Sequence, residues 1–285
     1  MNEVKLLVVH WNQPEACAAT VCALVAQGLP LRVTVIDNHS ESAAWEELRA
    51  KLEPSIEIVR LEENRGWGGA LNVVLQRWLS EEANPFCLMS AHDAMPAADC
   101  LQLLVAAAEA DPRRGIVCPQ YPEPFVARLS SRRGVFPETV EPKTSGSVQE
   151  VDVPHGTLML VRRECLQEIG LFDERYFAYG DEHELGARAV RRGWKVAMIW
   201  GAVVTNPGTR TANALRSYLF ARNSLLLVHD YFGRPAAWLR TGLLLANTLR
   251  LVVFSRDDDF AFSGRARWRA VRDHLAGRYG KPVLP

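Results

Sequence analysis

The chain has 285 residues, of which 48% are hydrophobic, and its 33 Lys and Arg residues balance 33 Asp and Glu residues. This length and composition allow a large buried core and exclude a disordered chain. A net charge of zero gives the molecule no overall field that attracts nucleic acid, so we expect no nucleic-acid partner.

The sequence also predicts the compartment. The N-terminus has no basic region followed by an apolar one, so we expect no signal peptide. No run reaches the roughly 18 to 20 apolar residues that a membrane-spanning helix needs. The six cysteines form no CxxC pair, which predicts buried thiols in a reducing compartment. Together these features predict a cytoplasmic protein.

Predicted strands and helices alternate over the first 118 residues. We predict strands at 5–9, 31–36, 56–61, 86–90 and 116–118, with helices at 16–26, 43–52 and 98–109. This alternation is typical of a doubly wound α/β sheet, in which ligands bind beyond the carboxyl ends of the strands. Polar side chains at those ends are therefore the first residues to consider for binding.

Two groups of polar residues follow the first two predicted strands. His10, Trp11 and Asn12 come after the first strand, and Asp37 and Asn38 come after the second. Capping of the next helix explains Asp37 or Asn38 as well as ligand binding does, and both interpretations stay open.

A glycine-rich turn follows the third predicted strand, from Asn64 to Asn72. Such a turn can present backbone N–H groups to a phosphate, although its spacing matches neither the P-loop nor the dinucleotide-binding fingerprint. Asp93 follows the next strand, where a carboxylate can hold a divalent cation that bridges two phosphates. The local sequence alone favours an ordinary turn aspartate before Pro96.

The pattern changes in the second half of the chain. Residues 119–154 are rich in proline, serine and charge, which predicts an excursion with short strands that covers part of the cleft. We predict strands at 126–129, 134–136, 157–161, 195–199 and 202–205. Beyond residue 210 we predict helices at 215–232, 235–254 and 265–278.

Three carboxylates, Asp181, Glu182 and Glu184, open a predicted helix in the stretch YGDEHELGARAVRRGW. Acidic residues in a first turn complement the helix dipole, and Glu184 with Arg188 has the spacing of an ordinary ion pair. A general base in the middle of a cleft is the alternative explanation, and spacing alone does not separate the two.

Taken in order, these segments resemble the inverting glycosyltransferases of family 2, especially their rhamnosyltransferase-like branch. VVHWNQPE is similar to the first strand and the turn that meets the nucleotide, and VIDNHS resembles the segment whose aspartate contacts the base. NRGWGGALN resembles the asparagine-glycine turn, and SAHDAMP has the position of the metal-associated aspartate. The stretch from His155 to Trp194 is similar to the acceptor-side segment that carries the catalytic base, and the similarity as a whole runs from about Val4 to Gly208.

The resemblance implies a fold and an activity. The expected fold is α/β of GT-A type, with a Rossmann-like, mostly parallel sheet flanked by helices and a C-terminal helical extension. Residues 1–210 would form the catalytic domain, with a nucleotide-binding half at about 1–118 and an acceptor half at about 119–210, and residues 211–285 the helical region. The expected enzyme transfers a hexosyl unit, rhamnose at the level of the branch, from a UDP- or dTDP-sugar to a hydroxyl of a glycan, lipid-linked or small-molecule acceptor.

The resemblance also implies the roles of individual residues. It assigns the donor nucleotide to His10, Trp11, Asn12, Asp37, Asn38, Asn64, Gly66, Asn72 and Asp93. It assigns the acceptor side to His155, Gly156, Tyr179 and Glu184. By position Glu182 is the base, with Asp181 as its competitor, because the acidic pair runs Asp–Glu here and usually Glu–Asp in the family.

Asp93 would also bind a Mg²⁺ or Mn²⁺ ion. Ala91 stands where a fuller DxD motif has its first carboxylate, and Asn206 stands where many relatives have a histidine. Whether a metal is required therefore stays open. A catalytically silent relative that binds a sugar nucleotide or a partner is the alternative function. A nucleotidyltransferase is disfavoured, since those enzymes usually carry a lysine-containing, glycine-rich loop after the first strand.

Ten arginines lie among apolar residues in the predicted C-terminal helices: Arg216, Arg222, Arg234, Arg240, Arg250, Arg265, Arg267, Arg269, Arg272 and Arg278. This pattern fits a peripheral contact with the inner face of the membrane, which would present the site to a lipid-linked sugar. Packing on the catalytic domain or a homodimer interface explains it equally well.

Overall fold

The computed structural model describes residues 3–206, 211–254 and 263–282. The strands are β1 Val4–His10, β2 Leu31–Asp37, β3 Glu57–Arg60, β4 Phe86–Ala91, β5 Met95–Pro96, β6 Arg114–Gln120, β7 Phe125–Ser130, β8 Gly134–Thr139, β9 Val148–Glu150, β10 Leu158–Arg162 and β11 Lys195–Thr205. The helices are α1 Pro14–Val25, α2 Ser42–Lys51, α3 Gly66–Glu81, α4 Cys100–Glu109, α5 Arg163–Ile169, α6 Asp181–Arg191, α7 Asn213–Phe254 and α8 Gly264–Leu275.

Within residues 3–206, nine strands form a central sheet in the order β3-β2-β1-β4-β10-β6-β11-β5, and β9 also pairs with β11. The pairs among β1 to β4 are parallel, and so is the pair of β6 with β11. Strand β10 runs antiparallel between β4 and β6. The predicted α/β class with a mostly parallel sheet is confirmed, and the carboxyl ends of β1, β2, β4, β6 and β11 meet at one edge.

Helices cover both faces of this sheet, which explains why its strands are continuous apolar runs. All seven residues of β1 are buried. Leu7 and Val9 belong to the core cluster that includes α3 and α6, whereas Leu6 and Val8 belong to the cluster that includes α1 and α4. The alternation of side chains along β1 therefore divides the core into two layers.

Several predicted boundaries needed correction. The two strands predicted at 195–199 and 202–205 are one strand, β11, whose pairing with β6 shifts register between Ile199 and Val203. Gly201 adopts a positive φ of 83° there. A glycine is typical of a turn, so the sequence indicated a break between two strands where the structure has an irregularity within one strand. The strands β5 and β9 were not predicted, because two and three residues are too short to show periodicity. Cys22 is exposed, contrary to the expectation of buried thiols.

The C-terminal helices agree with the prediction in type and place. Helix α7 breaks at Gly233, where φ is 83°, so the helices predicted at 215–232 and 235–254 are its two segments. Helix α8 packs on α7 and ends at Leu275 rather than at 278. The boundary expected at residue 210 lies outside the described residues. No helix among the described residues has the length and apolar character needed to cross a bilayer.

A buried arginine attaches these helices to the remainder of the chain. Arg222 of α7 is 1% exposed, and its guanidinium donates to the backbone oxygens of Tyr176 and Gly280 at 3.1 and 2.8 Å. One side chain of α7 therefore donates to three backbone carbonyls, including that of Arg175 at 3.3 Å.

Candidate active site

The helix α6 begins with its carboxylates next to the glycine-rich beginning of α3. Asp181 is 2% exposed, and its Oδ2 accepts a hydrogen bond of 2.8 Å from the backbone N–H of Gly68. A Cβ at position 68 would lie only 2.9 Å from that oxygen and 2.8 Å from Cβ of Phe172. The absence of a side chain at Gly68 is thus what allows the Asp181 carboxyl to approach the α3 backbone.

Glu182 occupies a different environment from Asp181. Its side chain is 14% exposed and lies 3.5 Å from Nε2 of His183, and its Oε2 accepts from the backbone N–H of Gly180 at 2.9 Å. The carboxyl of Asp181 is a further ionisable neighbour of Glu182. Glu182 is therefore both more accessible than Asp181 and better supplied with positive charge.

These surroundings move the two pKa values in opposite directions. Burial and the charge of Glu182 raise the pKa of the Asp181 carboxyl well above its usual range. Burial opposes ionisation of Glu182 as well, but His183, the hydrogen bond from Asp181 and the N–H of Gly180 outweigh it and lower the pKa of Glu182. Of the two, Asp181 therefore holds a proton more tightly and Glu182 is the more acidic member.

The loop before α6 has an unusual backbone. Phe177 and Tyr179 adopt positive φ values of 65° and 61°, and Gly180 has a φ of 121°. For residues other than glycine this conformation costs about 1–2 kcal/mol each. The amide of Asn223 in α7 holds the loop, since its Nδ2 donates to the backbone oxygens of Tyr176, Ala178 and Tyr179 at 2.9, 2.8 and 2.9 Å.

Sequence analysis did not identify Asn223. The only available signal was an amide inside the apolar stretch SYLFARNSLLLV, because a buried polar side chain needs hydrogen-bond partners. Its partners lie 44 to 47 residues earlier in the chain, where no local pattern indicates them.

Glu184 forms the ion pair that its spacing suggested. Its Oε2 lies 2.7 Å from Arg188 Nη2, and its Oε1 accepts from the Tyr231 hydroxyl at 2.9 Å. Tyr179, also assigned to the acceptor side, contacts Phe220 with ring centroids 4.8 Å apart. Both side chains connect α6 and its preceding loop to α7, and a direct acceptor contact stays a prediction for each.

The other two residues predicted for the acceptor side lie close to Glu182. A Cβ at Gly156 would be 3.4 Å from Cγ and Cδ of Glu182, so these residues are direct neighbours. His155 stacks on the ring of Tyr121 at a centroid distance of 4.3 Å, and its Nε2–H donates to the backbone oxygen of Pro119 at 2.7 Å. Burial lowers the pKa of His155 to about 4, so the ring is neutral.

Tyr121 was not predicted as a site residue. Its hydroxyl lies 2.6 Å from Oγ1 of Thr157, and burial raises the pKa of Tyr121 to about 12. Its neighbour His155 leaves Nδ1 buried without a hydrogen-bond partner among the described residues. His155, ahead of β10, and Tyr121, which follows β6, therefore form a stacked pair beside Gly156, the direct neighbour of Glu182.

On the donor side, His10 and Asp37 form a buried pair at the ends of β1 and β2. The His10 Nδ1–H donates to Asp37 Oδ1 at 2.9 Å, and its Nε2 accepts from the backbone N–H of Gln13 at 3.1 Å. Burial opposes ionisation of Asp37, but hydrogen bonds from His10 and Ser40 outweigh it and lower the pKa of its carboxyl. Asp37 is therefore a fully buried anion at the edge of the sheet.

Three of the predicted donor residues hold the glycine-rich turn together. The amide of Asn38 donates to Oδ1 of Asn64 at 3.2 Å and to the backbone oxygen of Gly66 at 3.0 Å. Gly66 has a φ of 77°, and a Cβ there would lie 1.8 Å from the backbone oxygen of Phe177. The turn that starts α3 is thus rigid and touches the loop that precedes α6.

Asn72 connects the same two regions from within α3. Its Oδ1 accepts from the backbone N–H of Phe172, and its Nδ2 donates to that residue's oxygen, both at 3.0 Å. Asn12, with a φ of 53°, accepts from the backbone N–H of Glu41 at 2.8 Å, and Trp11 beside it is exposed. Whether any of these residues contacts a nucleotide stays a prediction.

Asp93 lies buried after β4, where it meets the end of β11. Its Oδ1 accepts from Nδ2 of Asn206 at 3.1 Å, and burial raises the pKa of its carboxyl. His92 is held elsewhere, since its Nδ1 contacts the backbone oxygen of Val9 and its Nε2 contacts Nε2 of Gln13.

The described residues contain no group of three or more His, Cys, Asp or Glu side chains able to hold a metal ion. A single carboxylate such as Asp93 nevertheless suits a Mg²⁺ ion that takes most of its ligands from phosphates and water, and Asn206 would add its amide oxygen if the amide, whose Nδ2 donates to Asp93 here, were rotated. A bound cation would also offset the burial of the Asp93 carboxylate. The donor set therefore fits a cation that a diphosphate brings, and not a cage made by protein alone.

The sequence matches the family model described as Glycosyl transferase family 2 over residues 6–170, and a second model, Glycosyltransferase like family 2, over residues 137–223. The chain therefore belongs to glycosyl transferase family 2, as its motifs predicted.

It is 29% identical over 109 residues to N-acetylglucosaminyl-diphospho-decaprenol L-rhamnosyltransferase of Mycobacterium tuberculosis, in the strains CDC 1551 / Oshkosh and H37Rv. That similarity covers 33% of this chain and 36% of each relative.

Solved structures confirm the GT-A type of fold. GalNAc-T7, solved with UDP, GalNAc and Mn²⁺, superposes with a TM-score of 0.71 at 14% identity, over 96% of this chain and 54% of that one. The mannosyltransferase PcManGT of Pyrobaculum calidifontis, solved with GDP-Man and Mn²⁺, gives 0.61 at 20% identity, over 96% and 74%. At such identities the likeness extends to the fold alone.

Proposed function

We propose that this chain is an inverting glycosyltransferase that transfers a sugar from a nucleoside-diphosphate sugar to an acceptor hydroxyl. The observation that carries the proposal is the pair of adjacent carboxyls Asp181 and Glu182, which lies where α6 meets the glycine-rich beginning of α3 and in which Glu182 is the more accessible member. Membership of family 2 and the rhamnosyltransferase similarity support the same activity.

Glu182 is the general base in this proposal. The acceptor hydroxyl gives its proton to the ionised Glu182 carboxylate while its oxygen attacks the anomeric carbon. The bond from that carbon to the diphosphate oxygen breaks on the opposite face, which inverts the configuration. Such a base contributes on the order of 100- to 10,000-fold to the rate. Asp181 keeps its proton, donates to Glu182 and fixes its position against Gly68.

The donor diphosphate would lie at the strand ends between Asp93 and the beginning of α3. Asp93 and Asn206 would hold a divalent cation there, and when bound the cation neutralises charge that develops on the leaving diphosphate. Two structural neighbours were solved with Mn²⁺ and a nucleotide or nucleotide sugar, which supports this arrangement. We propose a UDP- or dTDP-sugar as donor, with rhamnose as the sugar.

For the acceptor we propose a lipid-linked sugar at the inner face of the membrane. The rhamnosyltransferase relative is named for a decaprenol-diphosphate acceptor, and its similarity to this chain motivates the choice. The acceptor sugar would enter beside His155, Gly156 and Tyr179, next to Glu182.

The first experiment measures the release of free nucleoside diphosphate from a panel of sugar nucleotides, after thermal-shift screening has identified the donors that bind. We expect Glu182→Gln to abolish transfer while the thermal shift with donor is retained. Glu53→Gln, at an exposed site outside the cleft, is the matched control and should turn over normally.

Near-normal turnover of Glu182→Gln would contradict its assignment and leave Asp181 as the base. Donor binding without any release of nucleoside diphosphate by the unmodified protein, with acceptors of each class present, would favour the catalytically silent alternative.

A further inference from the structure

The outer face of the C-terminal helices is unusually apolar. Fourteen large hydrophobic side chains are exposed among the described residues, and nine of them lie between Phe232 and Leu275. In the second segment of α7 they lie on one side of the helix: Trp238, Leu239, Leu243, Leu249, Val252 and Val253.

In the second segment of α7, the side that packs on the protein is less apolar than the exposed side. Its buried residues are Ala237, Thr241, Leu244 and Thr248, and the two threonine hydroxyls donate to the backbone oxygens of Ala237 and Leu244. The larger hydrophobic side chains therefore point outward, which is the reverse of a surface helix in contact with water alone.

Charge on this part of the chain is strongly unbalanced. Residues 234–282 contain ten Lys or Arg and four Asp, whereas residues 1–233 contain 23 Lys or Arg and 29 Asp or Glu. Helix α8 exposes Arg265, Trp268, Arg272 and Leu275, three or four residues apart. Arginine and tryptophan on one exposed face, beside an apolar face, are typical of helices that lie in the surface of an anionic membrane.

The same charge argues against a second copy of the chain as the occupant. A symmetric dimer through this face would bring together two surfaces that each carry an excess of positive charge. An anionic bilayer supplies both an apolar phase for the outward side chains and negative charge for the arginines.

A cavity of about 190 Å³ opens at one end of this face, beside the break of α7 at Gly233. Its lining combines cationic and aromatic side chains with small ones: His229, Arg234, Ala237, Trp238, Thr241, His274, Leu275 and Tyr279. The Nδ1 of His229 lies 2.9 Å from Asp230 Oδ1, and the Nδ1 of His274 lies 3.0 Å from the Tyr279 hydroxyl, so neighbours orient both rings.

We propose that the outer face of α7 and α8 docks on an anionic bilayer, and that this cavity takes the phosphate of one lipid headgroup. Trp238 and Leu275 belong to both the exposed apolar face and the cavity wall, so a lipid whose phosphate meets Arg234 would place its acyl chains along that face. This proposal deepens the proposed function. It rests on that function in one respect only, namely that docking brings the active site to a lipid-linked acceptor.

The first test is flotation of the full-length chain with vesicles of phosphatidylcholine alone or mixed with phosphatidylglycerol. We expect flotation only with the mixed vesicles. A single basic residue is worth about 1 kcal/mol at such a surface, so Arg250→Gln, which is exposed on the same helix but outside the cavity, should weaken partitioning by about fivefold. Arg234→Gln should weaken it by more than about tenfold, because a charge-assisted hydrogen bond to phosphate is lost as well.

The second test identifies the source of the phosphate. Tryptophan fluorescence is titrated with inorganic phosphate and with water-soluble short-chain phosphatidylglycerol, and the signal of Trp238→Phe is subtracted from that of the unmodified chain. Saturable binding of the lipid, at least about tenfold tighter than that of phosphate, is the expected result. Equal affinity for both would replace the lipid site by a small-anion site. No flotation, or equal losses in Arg234→Gln and Arg250→Gln, would overturn the headgroup site.

Failure of this inference is distinguishable from failure of the proposed transfer. Release of nucleoside diphosphate with a soluble acceptor does not need the bilayer, so Arg234→Gln should retain it while Glu182→Gln loses it.

Discussion

Asn223 offers a direct test of how α7 supports the proposed base. Its Nδ2 lies within 2.9 Å of three backbone oxygens in the loop before α6, although an amide has only two hydrogens to donate. Asn223→Ala removes both donors from these carbonyls, although the oxygen of Tyr176 keeps Arg222 and the backbone N–H of Ala178 as donors. At about 1 kcal/mol for each hydrogen bond, and more for a buried unsatisfied carbonyl, we expect a loss of about 2–4 kcal/mol of stability.

The same substitution should affect catalysis through the backbone. Phe177 and Tyr179 are held at positive φ, and releasing them would let the loop relax and move the beginning of α6 with Glu182. A displacement of about 1 Å at a reacting group costs about 100-fold in rate. We expect kcat to fall by about that factor while KM for the donor changes little, because the donor side contacts other elements.

The assay combines steady-state release of nucleoside diphosphate with urea denaturation of the same preparations. Asn223→Asp keeps the shape but turns the donor into an acceptor that faces three carbonyl oxygens, so it should be worse than Asn223→Ala in both measurements. Asn247→Ala, an exposed asparagine later in α7, is the matched control and should leave both unchanged. Unaltered kcat in Asn223→Ala and Asn223→Asp would refute the positioning role.

Three further predictions concern ionisable side chains. Because the pKa of Asp181 is raised in the folded protein, its contribution to stability is fully present below the unfolded pKa of about 4 and is lost as pH rises through the folded pKa. Asp181→Asn mimics the protonated form, so it should gain stability over the unmodified chain as pH rises. Urea denaturation at a series of pH values measures this difference. Asp93→Asn should weaken donor binding about tenfold in Mg²⁺ or Mn²⁺, measured by calorimetry, and full activity in excess chelator would contradict the metal role. Arg222→Met should lower the free energy of unfolding by about 3 kcal/mol, measured with urea, because it removes the buried guanidinium's hydrogen bonds to the backbone oxygens of Tyr176 and Gly280.

The sheet was predictable because the burial of a strand is reflected in the types of its own consecutive residues. A strand buried on both faces is mostly an apolar run, and β1 and β4 show that pattern, whereas β2 contains the exposed Arg32. The order of motifs along the chain was sufficient to predict the family. Strand β11 was predicted as two strands because a glycine such as Gly201 is typical of a turn, although Gly201 lies at an irregularity within one strand.

The site was only partly predictable, because its side chains act across long separations in sequence. The spacing of Glu184 and Arg188 indicated their ion pair correctly. The hydrogen bonds of Asn72 to Phe172, 100 residues away, are invisible to any local pattern. The different environments of Asp181 and Glu182 were equally hidden, since they depend on Gly68 and His183 packing around two adjacent carboxylates.

The hydrogen bond from Gly68 to Asp181 joins residues 113 apart and connects the beginning of α3 to the carboxyl pair. If a donor bound at this turn shifts Gly68, the affinity of Asp181 for its proton changes with it. Donor affinity and proton affinity are then linked, and by reciprocity each alters the other by the same factor. Calorimetry of donor binding in buffers of different ionisation enthalpy would count the protons that are taken up or released. Binding of the donor in one half of the cleft can therefore be measured as a change in protonation of the carboxyl pair in the other half.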